Sequence, residues 1–200
     1  MIIGVTGGVG AGKSTILDYL KSEYHAYIIM ADDVAKDLMN LGQTGYDAVV
    51  SEFGSEILDA DKMIDRPKLS SIVFNNDEKL ERLNNLIHPL VKDYILEKFD
   101  FYRTYIPDRI VVLEAALLIE EGYKEFVDEL WAVITNTDVR IQRLKETRGY
   151  SEEKARSIID NQLSNEEFAA NSDFVINNSY GLEATQKQIK DHLDRIINQQ

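Results

Sequence analysis

The chain opens with a short apolar run, MIIGVT, and passes at once into GGVGAGKST, Gly7 to Thr15. No other stretch constrains the fold as tightly. Gly7, Gly12, Lys13 and Ser14 satisfy G-x-x-x-x-G-K-[ST], a spacing that works only where a strand arrives, the backbone turns sharply and a helix leaves. Glycines permit positive φ and let main-chain N–H groups close around anionic oxygens, while the helix N-terminus adds a partial positive charge. Gly8, Gly10, Ala11, Gly12, Lys13, Ser14 and Thr15 are therefore the expected contacts to a nucleotide's phosphates. Lys13 is suited to bridge the β- and γ-phosphates, and Ser14 or its neighbour Thr15 to hold Mg²⁺. The rival dinucleotide fingerprint G-x-G-x-x-G fails, because counting from Gly8 puts the third glycine on Lys13 and counting from Gly10 puts it on Thr15.

An anionic ligand has to overcome the rest of the molecule. The formal charge is −13, which argues against nucleic acid or an anionic membrane surface as the main partner. Each helix-dipole contact contributes about 0.3–1 kcal/mol, and salt screens the distant acidic surface beyond about 8 Å, so several aligned donors prevail locally. The absence of cysteine excludes a disulfide framework and a thiolate metal site and fits a reducing cytosol. Met1 to Val5 is too short for a secretory signal, and the longest apolar stretch, Ile110 to Ile119, is broken by Glu114. A cytoplasmic monomer with no membrane or nucleic-acid partner is expected.

Periodicity supplies the architecture. Met1–Val5, Ala26–Met30, Ile110–Leu113, Leu130–Ile134 and Phe174–Ile176 read as short buried strands. Helices are expected over about 14–23, 138–147, 151–163 and 182–197. Between Val34 and Tyr105 segments such as YDAVVSEF and LVKDYILEKF repeat apolar residues at three-to-four spacing, too long a region for a loop. Pro67 and Pro89 are expected at first helical positions. The prediction is an α/β chain: a P-loop three-layer fold with a five-stranded parallel sheet, residues 1–32 and 106–200, interrupted by a helical insert at 33–105.

A phosphate loop alone leaves the chemistry open. The switch signatures D-x-x-G and N-K-x-D do not occur, which speaks against a signalling switch. Asp32 follows the second strand, where ligands meet open parallel sheets; it suits either an acceptor-orienting base or the cap of the next helix. Glu114 ends the third strand and could orient a metal-bound water or serve no chemistry. Arg140 and Arg143 share one helix face, with Arg148 beyond. They suit bidentate phosphate contact from a mobile cover, or a solvated face with ion pairs such as Arg143 to Glu146. His88 before Pro89 suits a cap or packing role. Arg66, within Asp65-Arg66-Pro67, presents a cation or merely follows a cap.

Taken together, IGVTGGVGAGKST, ADDVAKDLM, FGSEIL…IDRPKLSSIVF, NNLIHPLV, AALLIEEG, RIQRLKETRGYSEEKA…Q and SDFVINN resemble, in order and over nearly the whole chain, the dephospho-coenzyme A kinase family. The resemblance implies ATP-dependent phosphorylation of the ribose 3′-hydroxyl of dephospho-coenzyme A with Mg²⁺. It implies Asp32, Lys13 and Arg143 as catalytic residues, Asn177 and Asn178 as adenine contacts, and Arg66, His88 and Glu120 as acceptor contacts. It also makes the helical insert the acceptor-binding region and about 138–163, with Arg140, Arg143 and Arg148, a lid. Two positions depart from the family pattern with consequences: Met30 stands where a second carboxylate is usual, so Asp32 would act alone, and Thr147 stands where the second lid arginine is usual, leaving Arg148 one residue out of step.

Overall fold

The computed structural model describes residues 1–74 and 76–197. In chain order the elements are β1 (Ile2–Thr6), α1 (Lys13–Glu23), β2 (Tyr27–Met30), α2 (Ala31–Leu38), α3 (Thr44–Phe53), α4 (Arg66–Val73) and α5 (Asp77–Tyr105), then β3 (Val111–Glu114), β4 (Glu129–Ile134), α6 (Thr137–Arg148), α7 (Glu152–Asp160), α8 (Asn165–Ala170), β5 (Phe174–Asn177) and α9 (Leu182–Ile197). The chain forms two compact units, Met1–Ile28 with the segment from Ile106 onward, and Ile29–Tyr105.

The expected five-stranded parallel sheet is present, in the order β2-β3-β1-β4-β5. β1 lies at its centre, with Ile2 opposite Val111 on one side and Ile3 opposite Glu129 on the other. All five residues of β1 and all four of β3 are buried, which requires cover on both sheet faces. Side chains such as Ile3, Val5, Leu113, Leu130 and Trp131 are wholly removed from water, each worth about 1.5–3 kcal/mol of transfer free energy. α8 packs on β4, and α9 packs on β5 and α1. The register brings the carboxyl ends Thr6, Glu114, Ile134 and Asn177 to one edge of the sheet, the edge at which such sheets take ligands.

The second unit is helical. Tyr46, Val49 and Phe53 of α3, Leu69 and Val73 of α4, and Ile87, Val91, Ile95 and Phe99 of α5 turn inward at helical spacing. Gly45 lets α3 approach α2 so closely that a Cβ there would lie 2.8 Å from the Leu38 carbonyl oxygen. Asp65 caps α4 by accepting from the Lys68 N–H at 3.1 Å, and Pro67 takes the second helical position. Pro89 does not begin a helix as expected; it lies inside the 29-residue α5, which also places His88 in mid-helix. Pro89 and Asn85 are both exposed, so water can satisfy the Asn85 carbonyl that proline leaves without a donor. The buried stripe of Ile87, Val91, Ile95 and Phe99 carries the helix through the defect.

Candidate active site

The phosphate loop joins β1 to α1 as its spacing requires. Gly7 has φ 144, and a Cβ there would overlap the Val133 carbonyl oxygen; only glycine can leave β1 on this path. Gly12 caps α1 in the left-handed region, φ 91 and ψ 32, turning successive N–H groups toward one side. Lys13 folds back over the loop. Its Nζ donates to the Gly7 carbonyl at 2.7 Å and pairs with Glu114 Oε1 at 3.4 Å. The ammonium is thus poised above the loop by one carbonyl and one carboxylate, and Glu114, at the end of β3, has a definite place beside it. Ser14 and Thr15 are exposed in the first turn of α1, and their hydroxyls are not committed to other described residues. They are hard oxygen donors of the kind Mg²⁺ selects. No group of three or more metal-ligating carboxylates or histidines exists among the described residues.

The loop's carbonyls face a second layer of donors. The Ala11 carbonyl receives Thr135 Oγ1 at 2.9 Å, Asn178 Nδ2 at 2.8 Å and Arg143 Nη1 at 3.2 Å. Arg143 also reaches the Gly10 carbonyl at 3.4 Å and the Asn178 carbonyl at 2.9 Å. Arg140 is 3% exposed and donates from Nε to the Val9 carbonyl at 2.9 Å; burial lowers its pKa from the ordinary value. The reading of Arg140 and Arg143 as a solvated face with a pair to Glu146 is therefore corrected: Glu146 accepts from Gln142 instead, and both guanidiniums grip loop backbone. Arg148, the last residue of α6, is exposed. Thr147, where the usual second arginine is missing, donates its hydroxyl to the Arg143 carbonyl at 2.7 Å.

Asn178, expected on the adenine side, has its side chain engaged within the protein. Its Nδ2 is engaged by Ala11, its Oδ1 accepts from Thr185 Oγ1 at 2.8 Å, and its N–H donates to the Ile134 carbonyl at 2.8 Å. Asn178 is a brace. Asn177 remains half-buried and accepts from the Ser179 N–H at 3.1 Å. Sequence reading missed Thr135 and Thr185, neither of which belongs to a local motif, and gave no role to Gln162, the last residue of RIQRLKETRGYSEEKA…Q.

Three of the expected acceptor-side residues belong to the helical unit. Asp32 is exposed in the first turn of α2, whose cap residue is Met30, so Asp32 does not cap that helix. Neighbouring Asp33 pairs with Lys36 at 2.5 Å. Arg66 begins α4 and reaches the Lys36 carbonyl at 3.3 Å and Asn40 Oδ1 at 3.5 Å. His88 is exposed on α5. Glu120 lies in the other unit, exposed in the turn after β3.

Residues 1–184 match the family model described as dephospho-CoA kinase. A dephospho-CoA kinase of Trichormus variabilis is 40% identical over 188 residues, covering 94% of each chain. One of Fusobacterium nucleatum is 39% identical, covering 95% of each. The solved dephospho-CoA kinase of Campylobacter jejuni superposes with a TM-score of 0.73 at 26% identity, covering 98% of this chain and 96% of that one.

Proposed function

The chain belongs to the dephospho-CoA kinase family, and from that premise we infer how its residues carry out ATP-dependent phosphorylation of dephospho-CoA, the last step of coenzyme A synthesis. The observation that carries the reading is the glycine loop with Lys13 held over it by the Gly7 carbonyl and Glu114.

ATP's β- and γ-phosphates take the N–H groups of Gly8 and of Gly10 to Thr15, the Val9 N–H being held by Gln162, and Lys13 exchanges the Gly7 carbonyl for phosphate oxygen. The ribose 3′-hydroxyl of dephospho-CoA attacks the γ-phosphorus while the bond to the β–γ bridging oxygen breaks and ADP leaves. Asp32 accepts the hydroxyl proton, alone because Met30 offers no second carboxylate; a base of this kind supplies about 10²–10⁴-fold. Arg143 supplies positive charge beside the transferring group, and Arg140 holds the wall from which it acts. Mg²⁺ would offset charge on the phosphates; Ser14 would hold it, and Glu114 would orient its water. Arg66, His88 and Glu120 are assigned to the acceptor, as is the helical unit as a whole, and Asn177 and Asn178 to the adenine side. The segment about 138–163 is assigned as the lid. A cytoplasmic monomer is the proposed working form, and no helix among the described residues is long and apolar enough to cross a membrane.

The test is a coupled ADP-release assay with dephospho-CoA and a panel of nucleosides and nucleoside monophosphates offered separately. Turnover is expected with dephospho-CoA. Turnover confined to a nucleoside would overturn the acceptor, and ATP hydrolysis that ignores every small acceptor but rises with a protein partner would overturn the kinase reading itself.

A further inference from the structure

Val9 sits at the tip of the phosphate loop, the one bulky residue in Gly7–Lys13 apart from the lysine. Its side chain packs against a cluster built by Ile141 and Leu144 of α6 with Ala155 and Ile159 of α7. Both of its backbone polar groups are also taken. Arg140 Nε donates to the Val9 carbonyl at 2.9 Å, and the Val9 N–H donates to Gln162 Oε1 at 2.9 Å. The ring closes because Arg140 Nη2 donates to the same Gln162 oxygen at 2.8 Å. Three hydrogen bonds therefore join one arginine, one glutamine and the two peptide units flanking Val9.

We propose that Gln162 is a positioning residue for phosphoryl-donor binding, setting the phosphate loop by holding the Val9 N–H and the Arg140 guanidinium on a single acceptor oxygen. The inference rests on the reading of Gly7–Thr15 as the ATP phosphate site. Gln162 lies just past α7 and is itself exposed, so its packing contributes little to the fold. Its placement does something packing alone cannot. A guanidinium on the carbonyl and an oxygen on the N–H fix the orientation of both peptide planes flanking Val9. The residues that follow carry the N–H groups meant for phosphate, and a fixed tip means they are not ordered at the expense of binding energy. Arg140 has no second side-chain acceptor of its own among its hydrogen bonds; Gln162 both orients it and offsets the cost of its burial.

Only the oxygen of the Gln162 amide is used, and this makes the proposal sharp. Gln162→Met keeps length and loses the acceptor; Gln162→Glu keeps an acceptor and gives Arg140 a charged partner. In Gln162→Met the KM for Mg²⁺-ATP is expected to rise about tenfold, the low end of what losing a hydrogen bond shared with a charged group costs, with the KM for dephospho-CoA unchanged. Gln162→Glu should remain within about threefold of wild type. Amide hydrogen exchange on the nucleotide-free enzyme reads the bond directly: protection of the Val9 N–H should be lost in Gln162→Met and kept in Gln162→Glu, with melting temperatures within about 2 °C of one another. Wild-type protection in Gln162→Met overturns the placement whatever the enzyme's substrate is. Lost protection with an unmoved KM for ATP, an increase carried by the acceptor, or Gln162→Glu as impaired as Gln162→Met overturns the positioning role while leaving the phosphate-site reading in place.

Discussion

The Ala11 carbonyl of the phosphate loop receives three donors from three separate parts of the chain, whereas Asp32 and His88 of the helical unit stand on exposed helix faces and Arg66 reaches the Lys36 carbonyl and Asn40 Oδ1 at 3.3 and 3.5 Å. The contrast is one of preorganisation. A triphosphate is a compact, invariant anion, and donors fixed before it arrives cost nothing at the moment of reaction. The acceptor is long and flexible, and on the proposed assignment it meets exposed side chains, so that its own binding energy can be used to order the site. On this view substitutions in the loop's surroundings act on nucleotide binding and stability together, whereas substitutions on the helical unit act on turnover or acceptor binding and leave the melting temperature alone.

The largest expected effect tests the second half of that contrast. Asp32→Asn should lower kcat by about 10²–10⁴-fold, or about 2.7–5.4 kcal/mol of barrier, with little change in either KM and none in melting temperature. Near-normal turnover in Asp32→Asn would remove its role in proton transfer. Lys13→Ala comes next. Loss of one cation aimed at developing charge costs about 10²–10³ in kcat, and here the Glu114 carboxylate loses its ammonium at 3.4 Å as well. If kcat holds and only the KM for ATP rises, Lys13 binds the ground state and transition state alike.

How much of this was legible in the sequence divides along the same line. GGVGAGKST announces its own geometry because every residue it needs is local, and the alternation of strands and helices carried the sheet. The three-residue spacing of Arg140 and Arg143 put both guanidiniums on one face of α6. Their partners Val9, Gly10 and Ala11 lie more than 130 positions away in sequence, and no periodicity encodes that meeting. Thr135 was invisible for the same reason; Gln162 was legible as part of the arginine-rich segment RIQRLKETRGYSEEKA…Q, but its meeting with Val9 was not. Pro89 misled because a local rule, proline at helix starts, lost to long-range packing of Ile87, Val91, Ile95 and Phe99.

Asn178→Ala probes the loop's brace directly. It removes one of the three donors to Ala11 and the acceptor of Thr185 Oγ1, both among buried groups. A loss of about 1–3 kcal/mol is expected, lowering the melting temperature by about 2–4 °C per kcal/mol, together with a higher KM for ATP. Thr185 retains the Gly181 carbonyl at 3.1 Å, and Thr135 and Arg143 still hold Ala11, which keeps the variant folded. Wild-type melting with a wild-type KM would mean that the clamp on Ala11 is redundant and that the contrast between the two regions is overstated.

The smallest effect asks whether the bracing is special to the loop or general to its unit. Asp173 precedes β5, at the sheet edge opposite the loop. Its Oδ2 accepts from the Leu130 N–H at 2.8 Å and its Oδ1 pairs with Lys124 at 3.0 Å. Partial burial works to raise its pKa, but the Leu130 N–H and the Lys124 ammonium outweigh it, and the net shift is downward. A carboxyl held below its unfolded value stabilises the fold fully above that value, about 3.9, and loses the contribution as pH falls through the folded pKa. The side chain is 40% exposed, so the gain is no more than about 1 kcal/mol after solvent screening. Asp173→Asn keeps an acceptor for Leu130 and loses the charge. It should melt about 2–4 °C below wild type at pH 7, and the gap should close as the pH is lowered beneath about 4. The KM for ATP should not move, because nothing in this contact touches the loop. A change in ATP binding here would show that the nucleotide unit responds as one rigid body, and rigidity at the loop could then no longer be credited to the residues that surround it.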